Sequence, residues 1–118
     1  MPQFAIYRNP GRNRDILFVV QIQSNRLERS AGRVVMPLVR RSGSAPPDHP
    51  LTPHLHVEGE EVFANPFDLA TVPAARLGAA VGVLAERDQD TIIRALDELV
   101  SRAIHAGHAQ PPRPISNT

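Results

Sequence analysis

Five histidines, twelve carboxylates and thirteen arginines are the groups in this 118-residue chain with chemistry to offer; there is no cysteine and no lysine. The histidines pair by spacing. His54 and His56 fall on one face of a strand, and His105 and His108 lie three apart near a helix end, where two such pairs would suit zinc or nickel. No acidic pattern supports either pair, so ordinary surface histidines are the expected reading. Glu58, Glu60 and Glu61 cluster beside Gly59 and imitate paired catalytic carboxylates. A hairpin tip is commonly acidic for solubility, and an exposed tip holds a shifted pKa poorly. No Ser-His-Asp order, phosphate-cradling glycine loop or HExxH run occurs. Lack of cysteine excludes a disulfide framework, a thiolate metal site and a thiol nucleophile. Neither a metal nor an organic cofactor is expected.

The arginines are unevenly placed. Residues 1–41 carry eight Arg against Asp15 and Glu28, a balance of +6, and residues 42–118 carry five Arg against ten acidic residues, a balance of −5. Guanidinium forks suit carboxylates and phosphates alike, so the basic first third can meet an acidic peptide or a nucleic acid; a solvated face is the plainer alternative.

The elements that would position these groups are mostly strands. Phe4 and Ile6 alternate with Ala5 and Tyr7 before Asn9-Pro10-Gly11 breaks the run. Ile16–Ile22 is apolar on both faces, which predicts a central strand. Ser24–Gly32 reads as a loop. Arg33–Val39 is the next strand, with Val34, Met36 and Leu38 on one face; Pro37 places it at an edge or at a bulge. Ser42–Pro50 is a loop by composition. Leu55–Val57 and Val62–Ala64 flank Glu58-Gly59, a hairpin, and Leu69–Val72 is one more short strand. Pro73–Leu84 then changes period, with Leu77, Val81 and Leu84 at helical spacing. A terminal helix capped by Asp88 or Asp90 follows, with Ile92, Ile93, Leu96, Leu99, Val100, Ala103 and Ile104 as its apolar stripe and Gly107 as its C-terminal cap.

These elements predict a mainly β (α+β) fold: five to seven short strands closed into a small, partly open barrel, with one C-terminal helix. One domain over residues 1–107 is expected, followed by a disordered, proline-rich tail at 108–118. No apolar run is long enough to span a membrane, and Met1-Pro2-Gln3-Phe4 does not open a secretory signal, so a cytoplasmic protein is expected.

Six segments, in order, resemble the CcdB toxin family. Phe4–Asn9 looks like its opening strand. Leu17–Ser24 resembles its second, although Gln21-Ile22 interrupts the family's Val-Gln-Ser ending. Gly32-Arg33-Val34-Val35-Met36-Pro37-Leu38 resembles its third strand. Leu51-Thr52-Pro53 with Val57-Glu58-Gly59-Glu60, Leu69–Pro73 with Leu77-Gly78, and Ile93–Leu99 complete the series, which covers roughly residues 3–105. The resemblance implies an SH3-like barrel shared with the MazF ribonucleases, a homodimer, and the stable half of a toxin–antitoxin pair. It implies no catalysis. The best-known members bind the A subunit of DNA gyrase and trap its cleaved-DNA complex. A labile CcdA-like antitoxin neutralises the toxin through an acidic segment, and operator DNA is met only through that antitoxin.

The family's gyrase contact is a Trp-Gly-Ile terminus on the last helix. Here Ser101, Arg102 and Ala103 hold those positions, and no tryptophan occurs in the chain. Three readings follow: a changed gyrase contact, a different target, or lost potency. The resemblance assigns target binding to Asp97, Ser101, Arg102 and Ala103. It assigns antitoxin binding to arginines of the first third: Arg8, Arg12, Arg14, Arg26 and Arg29, with Arg33 beside them. Two alternatives share the fold. One is a MazF-like endoribonuclease, with Arg12 or Arg29 near the cleaved 2′-hydroxyl. The other is a non-toxic homologue that keeps the dimer and the antitoxin site. For the histidines, zinc titration is expected to leave the melting temperature unchanged; a rise on adding zinc would establish a metal site.

Overall fold

The computed structural model describes residues 3–27 and 29–101. Seven strands form one curled, antiparallel half-barrel sheet: β1 (Ala5–Arg8), β2 (Ile16–Gln21), β3 (Gly32–Arg40), β4 (His54–Val57), β5 (Glu60–Ala64), β6 (Ala70–Pro73) and β7 (Gly82–Val83). The spatial order is β4-β5-β3-β2-β1-β7, with β6 also paired to β3. One helix, α1 (Glu86–Leu99), follows the last strand. No helix among the described residues is long and apolar enough to cross a membrane.

β2 is central, as its two-faced apolarity predicts, paired to β1 on one side and β3 on the other. The alternation of side chains along a strand then divides the interior into two cores. Phe4, Ile6, Phe18, Val20, Met36 and Leu38 face α1 and pack with Leu84 and Ile92. Ala5, Tyr7, Val19, Val35 and Leu77 fill the opposite face, with Ile16 and Val72 packed against them. The register of β2 against β3 shifts between Ile16 and Phe18. This irregularity lets Leu17 and Phe18 both join the helix-side core and returns Ile16 to the face of Val19.

Pro37 sits on a central strand rather than at an edge. The first part of β3 pairs with β6 and the last part with β5. Pro37 falls between them, and its carbonyl accepts the Asn65 N–H at 3.1 Å. An antiparallel residue directs its N–H and C=O to the same side. The missing N–H therefore points at the gap where β3 changes partner, and no ladder bond is lost. The bulge lies in β2, opposite Leu38 and Val39, and Pro37 itself pairs in register with Val19.

The alanine-rich stretch from Pro73 is not helical as its spacing predicts. It closes β6, makes a single 3-10 turn at Ala74–Arg76 and then forms β7, which pairs with β1. Gly78 adopts a left-handed φ of 69° that breaks any helix there. Leu77 and Leu84 enter different cores on opposite faces of the sheet, which no single helix face could achieve. The expected loop Ser24–Gly32 contains a 3-10 turn at Asn25–Leu27. Gln23 fixes it by accepting from Val34 N–H and donating to the Leu27 carbonyl, both at 3.0 Å. The hairpin between β4 and β5 turns on Glu58 and Gly59, both at positive φ, as the sequence predicts.

α1 starts at Glu86, before either expected cap. Ala85 is the capping position and offers no side-chain bond; Glu86 and Asp88 in the first turn face the positive end of the helix dipole instead. The buried stripe is narrower than predicted. Ile92 and Ala95 are fully buried, whereas Ile93 is 40% exposed and Val100 is 73% exposed. Ala103, Ile104, Gly107 and the 108–118 tail lie outside the described residues. The two isoleucines test this orientation. Ile92→Ala is expected to destabilise the fold by about 2–5 kcal/mol and Ile93→Ala by about 1 kcal/mol or less, read by urea unfolding. Equal losses would place the packed face elsewhere.

Candidate functional site

An apolar groove of about 310 Å³ opens on the sheet face that α1 does not cover. β2 contributes Ile16 and Val19, β3 contributes Val35 and Pro37, and β6 contributes Ala70–Pro73. The hairpin loop Asn9-Pro10-Gly11 forms one wall, and Asp68 and Arg76 supply its charges. The groove exists because β6 returns to pair with β3, setting Val34 against Thr71 and Val35 against Ala70. The bulge in β2 gives the groove Ile16. The β1–β2 loop is held by short local bonds: Asn9 Oδ1 accepts from Gly11 N–H at 3.0 Å, its Nδ2 donates to the Asn13 carbonyl at 2.9 Å, and Asn13 Oδ1 accepts from Asp15 N–H at 2.9 Å. Arg76 ties the far wall to this loop by donating to the Pro10 carbonyl at 3.3 Å.

Two of the arginines singled out from sequence, Arg12 and Arg14, stand exposed on the loop that walls the groove. Arg8 ends β1 opposite Phe18, so the alternation of the strand puts it on the helix-side face instead. Arg26 and Arg29 are exposed too, but they sit on the β2–β3 connection. That connection is at the other end of β2, roughly 17 Å away for a strand of this length. Arg12 with Arg14 and Arg26 with Arg29 thus form two groups, and Arg8 stands apart from both. Arg33 belongs to neither. It is 7% exposed, and its Nη1 donates to the Ser30 and Gly32 carbonyls. Its guanidinium also lies near Tyr7, whose phenol burial pushes up, the arginine charge opposing that shift. Arg33 is a structural residue that clasps the β2–β3 connection.

The helix end presents a second surface. Asp97, Glu98, Val100 and Ser101 line an open depression there. Asp97 and Ser101 are both exposed, and the last turn holds no basic residue to offset the negative helix terminus. Arg102 and Ala103 lie outside the described residues. α1 packs against the 3-10 turn Pro66–Asp68, where Phe67 is 60% exposed. Phe67 and the groove-lining Val19, Val35, Val72 and Asp68 were not singled out from the sequence; the only advance signal was the apolarity of β2 on both faces.

The remaining candidates disperse. His54 and His56 do share a face, but both ring nitrogens of His54 are engaged, with Arg41 and with the Pro46 carbonyl. Among the described residues no group of His, Asp or Glu could hold a metal ion. Glu61 pairs with Arg41, and the Glu58 carboxylate lies over Gly82, whose missing Cβ admits it. The three hairpin glutamates do not converge. The contrast between buried and exposed arginines is measurable. Arg33→Ala is expected to cost about 1–3 kcal/mol of stability, because two carbonyls lose their donor. Arg12→Ala should stay within about 0.5 kcal/mol of the unmutated chain in urea unfolding.

The sequence matches the family described as CcdB protein over residues 3–101. No curated protein gives a significant match. The matched span takes in all seven strands, α1, the groove and the exposed end of the helix. By this match, and with the half-barrel and terminal helix now in view, the chain belongs to the CcdB family.

Proposed function

We propose that this protein is the toxin of a toxin–antitoxin pair and acts by binding rather than by catalysis. The observation that carries the reading is the apolar groove walled by an arginine-bearing loop. An acidic, amphipathic segment of a CcdA-like antitoxin suits it. Its apolar side chains would lie over Val19, Val35 and Val72, its carboxylates would meet Arg12 and Arg14, and Arg8 would be reached only by a segment that continues past the end of β1. Arg26 and Arg29 extend the basic track at the far end of β2. A segment that orders only on binding loses conformational entropy there, which a long contact surface offsets.

The target surface is the end of α1, with Asp97, Ser101, Arg102 and Ala103, and the target is the A subunit of DNA gyrase held with its cleaved DNA. Exposed Phe67 and Val100 are large apolar side chains on the helix and the turn beside it, and they suit a homodimer contact that would bring two helix ends together. The acidic helix end asks for a basic partner surface, which differs from the aromatic anchor of the best-known members.

Purified protein incubated with gyrase, ATP and supercoiled plasmid is expected to accumulate linear plasmid after detergent and protease treatment. An acidic peptide from the antitoxin encoded beside it should suppress that product. Arg12→Ala with Arg14→Ala should weaken the peptide about tenfold or more at low salt while leaving plasmid breakage intact. Intact plasmid at saturating protein would overturn the gyrase assignment. Unchanged peptide affinity in the double variant would remove the antitoxin from this loop. Degradation of added RNA would replace the reading with a ribonuclease.

A further inference from the structure

The groove carries opposite charges on two sides that do not meet. Asp68 is the one carboxylate among the described residues that line it, and it stands on the turn leading into β6. Its place is fixed from the groove floor outward. Asn65 N–H donates to the Pro37 carbonyl at 3.1 Å, and Asn65 Nδ2 donates to Asp68 Oδ2 at 3.1 Å. The Asp68 N–H closes the same turn on the Asn65 carbonyl at 3.2 Å. Among the described residues Asp68 Oδ1 accepts no hydrogen bond. The carboxylate is thus held in position at the groove with one oxygen open to a donor.

Basic charge occupies the opposite wall. Arg12 and Arg14 are exposed on the β1–β2 loop, and Arg76 is tied to that loop through the Pro10 carbonyl. Among the described residues none of the three forms an ion pair with a carboxylate. β6 and β2 flank β3, so the two walls stand about two strand spacings, roughly 10 Å, apart. Val19 and Val35 form the apolar floor between them. Charges that could neutralise one another are therefore kept apart across a surface with no polar group of its own to offer either.

A segment acidic along its whole length would satisfy the arginines and be repelled by Asp68. A segment with one cationic side chain on the Asp68 side and carboxylates on the loop side satisfies both walls. We infer that Asp68 is the specificity-determining residue of the groove: it selects a partner segment with Lys or Arg on one flank of an apolar stripe and Asp or Glu on the other, and it rejects a segment that is acidic throughout. An amphipathic helix, about 10–12 Å across with its side chains, presents two flanks at the required separation. Turning such a helix end for end exchanges its flanks, so the charge pair also fixes the direction in which it lies. The inference rests on the groove being the antitoxin's seat and adds the sequence pattern and orientation of the segment that fills it.

The test is calorimetric titration of the whole chain, at low salt, with a synthetic peptide of the acidic segment of the antitoxin encoded beside it. Asp68→Asn keeps an acceptor for Asn65 and is expected to weaken the peptide about threefold; Asp68→Lys should weaken it roughly tenfold or more, with urea midpoints unchanged in both. Changing the peptide's Lys and Arg residues to Glu one at a time should reveal one position that weakens binding to the unmutated chain yet restores binding to Asp68→Lys. Such a reversal assigns the contact, because independent effects would add. Equal affinity for the unmutated chain and both Asp68 variants would overturn the inference while leaving the antitoxin in the groove. A loss in Asp68→Lys that no peptide change restores would overturn it too, by giving Asp68 a role in the shape of the groove alone. A peptide that does not bind the unmutated chain would remove the groove as the antitoxin's seat, and the inference with it.

Discussion

Everything in this fold depends on β2 being buried on both faces while paired on both edges. A strand in that position must supply an unbroken apolar run, and Ile16–Gln21 does so until Gln21. The alternation along it decides which core each residue enters, and a slip of one residue would exchange the two sets. The structure uses a controlled version of that slip. The bulge at Leu17 gives the helix-side core two consecutive residues, Leu17 and Phe18, and turns Ile16 back toward the groove. The packing of α1 and the floor of the groove are thus set by one irregularity in one ladder.

A sheet with two packed faces needs covering on both, and the chain meets the need unequally. α1 covers one face through Ile92 and Ala95, with Leu96 packed at their side. Among the described residues only β6, its flanking turns and Leu77 cover the other, which leaves the groove open between them. Phe4 shows how firmly the first face is held. It sits at φ 68°, a conformation that costs about 1–3 kcal/mol in a bulky residue, yet its ring is buried in the helix-side core and its N–H donates to the Gln21 carbonyl.

Local signals made much of this legible. Alternation fixed β1 and β3, the two-faced run fixed β2 as central, and Glu58-Gly59 between β-formers marked the β4–β5 hairpin. What failed was non-local. Leu77, Val81 and Leu84 have helical spacing, but they are drawn to opposite sides of a sheet whose existence no window of eleven residues reveals. Pro37 reads as an edge marker, and only the change of partner from β6 to β5 along β3 makes a central position harmless. Among the arginines, type and charge gave no means of separating Arg33, turned inward onto its own connection, from Arg12 and Arg14. The groove itself was beyond local reading, because β6 meets β3 across more than thirty residues of chain.

The two surfaces proposed to bind partners lie on different sides of the sheet, and this bears on how one partner can silence the other. α1 packs on the helix-side core, whereas the groove opens on the far face. A short ligand confined to the groove would leave Asp97 and Ser101 untouched. To block the target, an antitoxin seated there must continue around the sheet or act across the proposed dimer, in which the second copy's helix end would lie close to the first. A long segment that orders on contact meets either demand, because its reach is not limited by a prefolded shape and its many weak contacts add along the path. The split of exposed arginines between the two ends of β2 fits such a path better than a single compact patch would. A globular inhibitor would have to reach both groups from one prefolded surface, and Arg33, buried on the β2–β3 connection, adds no exposed charge to help it.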